Sequence, residues 1–322
     1  MERRSLLGAG VVLGAAVVVR PPAARSAEHP AVSDAELAAV RALFAAGAYE
    51  RLGRLLPLLL DGAEHGVEAG PAGAARAAWV WVLASQLAVK QGRTGAAGAY
   101  AGLAGAAARR SGNAVVLAAA ARAGATPLRR TGRTPEALAL LKEARAHLTA
   151  GPRPSAAELD AAGMVELTAA YTAAQAHQTS TARDFADEAD QTALRLARRP
   201  HAGGRPLQLS AGQCTLYRIG IHRHLGDLDT ALAHAARLDA GQLPTAERRA
   251  RAATDTARAL LDADDAAGAF TQLRLVELAA PAEARRPSVR ALTAEVAGAR
   301  PGLPGLDAYL RRTAPGVNAP AG

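Results

Sequence analysis

The chain has 322 residues, 50% of them hydrophobic but only 3% aromatic, which is enough apolar content to bury a substantial core as one large domain or two ordinary ones. Its single cysteine, Cys214, excludes an internal disulfide framework and a zinc site built on cysteines. The net charge of +9 is carried almost wholly by arginine, since Lys90 and Lys142 are the only lysines; acidic residues are interspersed and no long basic run occurs, so nucleic-acid binding is permitted but not demanded.

Ala and Leu dominate the apolar residues, and both lose little side-chain freedom in a helix. Runs of β-branched and aromatic residues bounded by turn signals are nearly absent beyond the N-terminus. The expected fold class is all-α.

Residues 1–32 form an N-terminal apolar segment in which Arg3 and Arg4 precede the uncharged stretch Leu6 to Val19. That stretch is short for a membrane span and suits a signal-peptide core. Arg3-Arg4 followed by Ser5, Leu6 and Leu7 resembles a twin-arginine export signal. Against export, Glu2 dilutes the basic end and the small-residue cleavage motif around Ala24 to Ala27 is poor. A cytoplasmic location is expected, with export through a twin-arginine signal as the alternative.

A helical pattern begins at Ser33 and Asp34 and extends to residue 313; residues 314–322 lack an apolar pattern and are expected to be a disordered tail. Short turns recur along it, with equivalent positions at 47, 92, 132, 180, 226 and 264, spaced 45, 40, 48, 46 and 38 residues apart. Such recurrence predicts an array of antiparallel helical hairpins, looser than the roughly 34-residue tetratricopeptide unit but of that superhelical kind. In one hairpin Thr134 is placed to cap a helix, Pro135 fits its first turn, and Ala137, Leu141, Ala144 and Leu148 form a one-sided stripe. In a later one, Leu228, Ala231, Ala235 and Leu238 repeat the stripe, with Gly241 and Pro244 ending the helix. The partner helix carries Cys214, Tyr217, Ile221 and Leu225, and Gly220 there would admit a neighbouring backbone. Residues 151–155 and 198–206 read as Pro/Gly-rich connectors, the second long enough to move.

The chain contains no phosphate loop, dinucleotide glycine fingerprint, HExxH or GxSxG. His222 and His224, two apart, fall on different helix faces, so a shared metal is not expected. Asp264 and Asp265 read as capping residues at a helix start, and the Arg pairs at 109–110, 129–130, 198–199 and 311–312 as cations at helix C-termini. Neither an enzyme nor a cofactor is expected. A hairpin array instead offers a concave face, for which Trp79, Trp81, Tyr171, Tyr217, Arg218 and His222 are the candidate lining residues. Packing between hairpins is the competing and favoured reading of each aromatic. Arg218 and His222, i and i+4, would meet a carboxylate together.

The segment from Tyr217 to Tyr309 resembles the C-terminal tetratricopeptide-like half of XRE-type transcriptional regulators of GC-rich actinobacteria. The residues carrying the resemblance are YRIGIHRHLGDLDTAL (217–232), ARLDAGQLPTAERRARAATDTARAL (236–260), APAEARRPSVRAL (280–292) and PGLPGL (301–306), in that order. The resemblance implies a sensor or protein-interaction role, with a protein, peptide or small effector as partner and homodimerisation as an option. The family's DNA-binding helix-turn-helix domain has no counterpart in these residues, so direct nucleic-acid binding is not expected of them. The Arg3-Arg4 segment gains a second reading as a linker relic.

Overall fold

The computed structural model describes residues 31–151, 153–199 and 207–314. The export-signal reading of Arg3 and Arg4, most of the second connector and the tail beyond Ala314 lie outside these residues. Within them the fold is all-α, with no strand.

Six hairpins follow one another. They are α1 (Asp34–Ala45) with α2 (Tyr49–Gly66), α3 (Gly70–Lys90) with α4 (Thr94–Ser111), and α5 (Ala114–Arg130) with α6 (Thr134–Thr149). Then come α7 (Ala156–Gln175) with α8 (Thr179–Ala197), α9 (Ala211–His224) with α10 (Leu228–Arg237), and α11 (Ala246–Asp262) with α12 (Ala266–Ala279). Three further helices close the described chain: α13 (Pro281–Ala284), α14 (Pro287–Ala299) and α15 (Leu306–Thr313).

One device makes every hairpin turn. The first helix ends in a left-handed residue, Gly47, Gly92, Gly132, His177, Gly226 or Asp264, with φ between 55° and 79°. Its amide donates to the carbonyl three residues back, and the next amide reaches five back, as in Gly47 to Phe44 and Ala48 to Leu43, or Asp264 to Leu261 and Asp265 to Leu260. This is the Schellman closure of a helix C-terminus, which satisfies carbonyls that would otherwise lack partners. It moves the fourth turn from the expected position 180 to His177. Side chains other than glycine are strained at positive φ, and His177 and Asp264 tolerate it better than β-branched residues would.

Two local expectations need correction. Thr134 is the first residue of α6 rather than its cap; Arg133, whose amide closes the turn on Leu128, occupies the N-cap and makes no side-chain cap bond, because a guanidinium carries donors and no acceptor. Helix α10 stops at Arg237, ahead of a single 3₁₀ turn over Ala240–Gln242, so Leu238 lies just outside it. Side-chain caps hold other helices. Ser33 and Ser155 form capping boxes with Glu36 and Glu158, and Asp265 accepts from the Gly268 amide.

The first helices of successive hairpins pack side by side: α1 on α3, α3 on α5, α5 on α7, α7 on α9 and α9 on α11. Each second helix contacts its own partner and the following first helix. The closer row therefore lies on the inside of the curve. Helix α3, Gly70–Lys90, has the length and apolarity of a membrane span but is mostly buried among its neighbours.

The curve brings the ends together, since α11 touches α1. The junction is a buried charge cluster. Lys90 Nζ at the end of α3 lies 2.5 Å from Glu247 of α11 and 2.7 Å from Glu283 of α13. Arg286 Nη1 donates to Glu283 at 2.6 Å, and the Tyr49 hydroxyl donates to the same carboxylate. Burial opposes ionisation of both glutamates, but Lys90, helped by Arg248 at Glu247 and by Arg286 at Glu283, holds both carboxyls below the usual carboxylate range.

Candidate functional site

The inner row places one polar stripe on each of four helices. On α5 it is Arg122 and Arg129, on α7 Thr168 and Tyr171, on α9 Gln213, Tyr217 and His224, and on α11 Glu247, Arg251, Asp255 and Arg258. Spacings of three, four and seven keep each set on one helix face. The opposite face of α11 carries Ala250, Ala253 and Ala257, which pack into the C-terminal core.

Contacts across the interior are between guanidinium groups and phenol rings. Tyr171 and Tyr217 meet edge-to-face with centroids 6.3 Å apart. Arg251 Cζ lies 4.2 Å from the Tyr217 centroid and 5.7 Å from that of Tyr171, and Arg129 Cζ lies 5.1 Å from Tyr171. These are cation–π distances, favourable because the ring face is electronegative. Arg122 Nε donates to Thr168 Oγ1 at 3.1 Å. The Tyr171 hydroxyl and His224 Nε2 are 3.1 Å apart, and burial, reinforced by Arg223, lowers the His224 pKa to about 4, leaving a neutral ring.

Carboxylates are scarce here. Arg251 and Arg258 share Asp255 at 3.4 and 3.1 Å, while Arg248 reaches Glu247 at 3.3 Å, a group already held by Lys90. Among the described residues no carboxylate forms an ion pair with Arg122 or Arg129; burial, and for Arg129 the nearby Arg251, pull their pKa values down. Burial disfavours ionisation of the Tyr217 phenol, yet Arg251, Arg122 and Arg248 outweigh it and bring its pKa well below the ordinary value. Ultraviolet titration of the wild type against Tyr217→Phe should therefore show a phenol ionising below the usual pH of about 10. A difference signal that rises only at or above that pH would contradict this arrangement.

Gly220 explains how Tyr171 fits. A Cβ there would stand 2.5 Å from Tyr171 Cε2, so the close neighbour is an aromatic ring and not the backbone the sequence suggested. Gly220→Ala should cost about 1–3 kcal/mol by overpacking, read as a lowered melting temperature.

Only two of the candidate lining residues come together, Tyr171 and Tyr217, and Tyr217 is buried in the central core. Trp81 is buried and Trp79 half-buried in the N-terminal core, where Arg41 Cζ sits 4.3 Å from the Trp79 centroid. Arg218 is turned toward α8, with Nη2 2.7 Å from Asp187 and 2.5 Å from Asp190. His222 Nδ1 lies 3.2 Å from Asp227, and its ring stacks on His234 at 5.3 Å. The carboxylates these two residues meet belong to their own chain, because Arg218, one step on from Tyr217, and His222, five steps on, are turned roughly 100° and 140° away from it around α9. Cys214 is buried, and burial pushes its thiol up to about 12, as an inert core thiol requires.

Of these interior arginines the sequence marks Arg129 alone, and as a cation at a helix C-terminus. The available signal was the charged stripe 247, 251, 255, 258, which alternates with the alanine stripe of the same helix. No protein-family model matches the chain, and no curated protein matches it.

Proposed function

We propose that this chain is a non-catalytic binding module of the tetratricopeptide-like kind, similar to the sensor or protein-interaction half of an XRE-type transcriptional regulator. It docks a peptide, small effector or partner protein on its inner face. The observation that carries this reading is the polar lining of the inner row. A fold built only for its own stability would fill that side with apolar groups, whereas α5, α7, α9 and α11 present arginines and tyrosines, the residue types enriched where proteins grip partners.

The resemblance of residues 217–309 to regulator sensor halves supports the same role. The test is affinity capture on the immobilised full chain, with bound species identified by mass spectrometry, repeated with Arg129→Gln and with Arg311→Gln as an exposed control. Partners should be retained by wild type and control and lost from Arg129→Gln. Equal retention by all three would place any binding elsewhere and refute the inner face as the docking site.

A further inference from the structure

We propose that the inner face of α5, α7, α9 and α11 binds a small multivalent oxyanion, bearing carboxylate or phosphate groups, gripped by Arg122, Arg129 and Arg251 with the Gln213 amide as a neutral donor. This rests on the binding-module reading and names the ligand chemistry. Three observations lead to it.

The first is unbalanced charge. Four half-buried arginines elsewhere have carboxylate partners of their own: Arg145 has Glu166 and Glu188, Arg218 has Asp187 and Asp190, Arg223 has Asp262, and Arg286 has Glu283. On the inner face Arg122, Arg129, Arg248, Arg251 and Arg258 have Glu247 and Asp255 to share, and Glu247 also serves Lys90. Guanidinium groups crowded in a partly dehydrated place repel one another, and an oxyanion relieves that repulsion by accepting forked hydrogen bonds.

The second is an unused donor. Gln213 is 1% exposed and its Nε2 has no hydrogen-bond partner among the described residues. It stands one turn before Tyr217 on the same face of α9. A buried amide donor left unsatisfied is costly, so a ligand acceptor completes it.

The third is reach and posture. Arg122, Arg129 and Arg251 are half-buried rather than sealed. The guanidinium groups of Arg129 and Arg251 lie against the Tyr171 ring, and Arg122 Nε donates to Thr168 Oγ1. Steadied guanidiniums lose less entropy when an anion arrives.

The experiment is isothermal titration calorimetry of the full chain with inorganic pyrophosphate and, separately, citrate, at low and high sodium chloride. Saturable one-site binding of either probe is expected, weakened by salt and at least roughly tenfold weaker in Arg251→Gln or Arg129→Gln. Binding of pyrophosphate alone assigns a phosphate ligand, and of citrate alone a carboxylate ligand. A second readout needs no variant. An anion competes with the Tyr217 phenol for the arginines, so the bound probe should shift its ultraviolet titration to higher pH. The proposal is overturned if neither probe binds the folded wild type, or if binding is unaltered in folded variants and leaves the Tyr217 titration in place. A captured protein partner with no oxyanion binding would leave the binding-module reading standing and remove this one.

Discussion

Replacing Lys90 with Met should lower the unfolding free energy by about 3–5 kcal/mol, the range for removing one partner of a buried ion cluster. Lys90 is buried at the end of α3 and neutralises two carboxylates on elements far along the chain, Glu247 and Glu283, the latter fully buried. Without it those carboxylates face each other with Arg248 and Arg286 alone for compensation. Because Lys90 joins the first hairpins to the last, its loss acts on the contact between α1 and α11 as well as on local packing. The effect depends on pH with a definite sign. Both glutamates have folded pKa values below their unfolded ones, so their contribution is present above the unfolded value and fades as pH falls through the folded one. The difference between wild type and Lys90→Met, measured by urea unfolding, should therefore hold from pH 7 down to the ordinary glutamate value of about 4.3 and shrink as pH drops below it. A difference that stays constant would show that the cluster does not carry the stabilisation.

Leu141→Ala should cost about 2–5 kcal/mol, the sum of lost transfer energy and residual cavity. Leu141 lies at 0% exposure in α6, between Ala137 and Ala144 on the buried stripe. Its surroundings are rich in alanine, and alanines have no side-chain torsions with which to fill a void, which favours the upper part of that range. Leu278→Ala on α12 is the matched control, because that side chain is 82% exposed and should change stability by less than about 0.5 kcal/mol. Thermal or urea unfolding of both variants measures the contrast. Equal losses would mean that the assigned faces of α6 and α12 are wrong.

Much of the helical layout was legible in the sequence because its signals are local. The spacing of Ala137, Leu141, Ala144 and Leu148 marks a face by helix geometry alone, and Gly47, Gly92, Gly132 and Gly226 mark turns because glycine suits positive φ. The signal failed where another residue took that role. His177 turns the fourth hairpin, so a reading guided by small residues lands three positions late. Thr134 looked like a cap, but the Schellman closure before it moves the cap to Arg133.

The interior site was less legible for a different reason. Hydrophobic periodicity identifies the face that packs, whereas the fate of a polar stripe depends on how the row of helices curves. Arg129 reads locally as a cation at a helix C-terminus, which it is; that it also covers Tyr171 follows only when α7 is laid beside α5. Lys90 and Glu247 are 157 residues apart, and no local pattern links them. Arg218 and His222 drew attention as an i, i+4 pair, yet Asp187, Asp190 and Asp227 already occupy them.

The most direct measurement of the central idea, that the inner face is the binding surface, is a double variant that removes two charges, Arg129→Gln with Arg251→Gln, in the affinity-capture experiment. Its fold is checked by circular dichroism, and the Arg311→Gln, Arg312→Gln double variant serves as the control of equal charge change. The account predicts that species retained by the wild type and the control are lost from the inner-face variant while all three remain helical. Retention of the same species by a helical inner-face variant would contradict it.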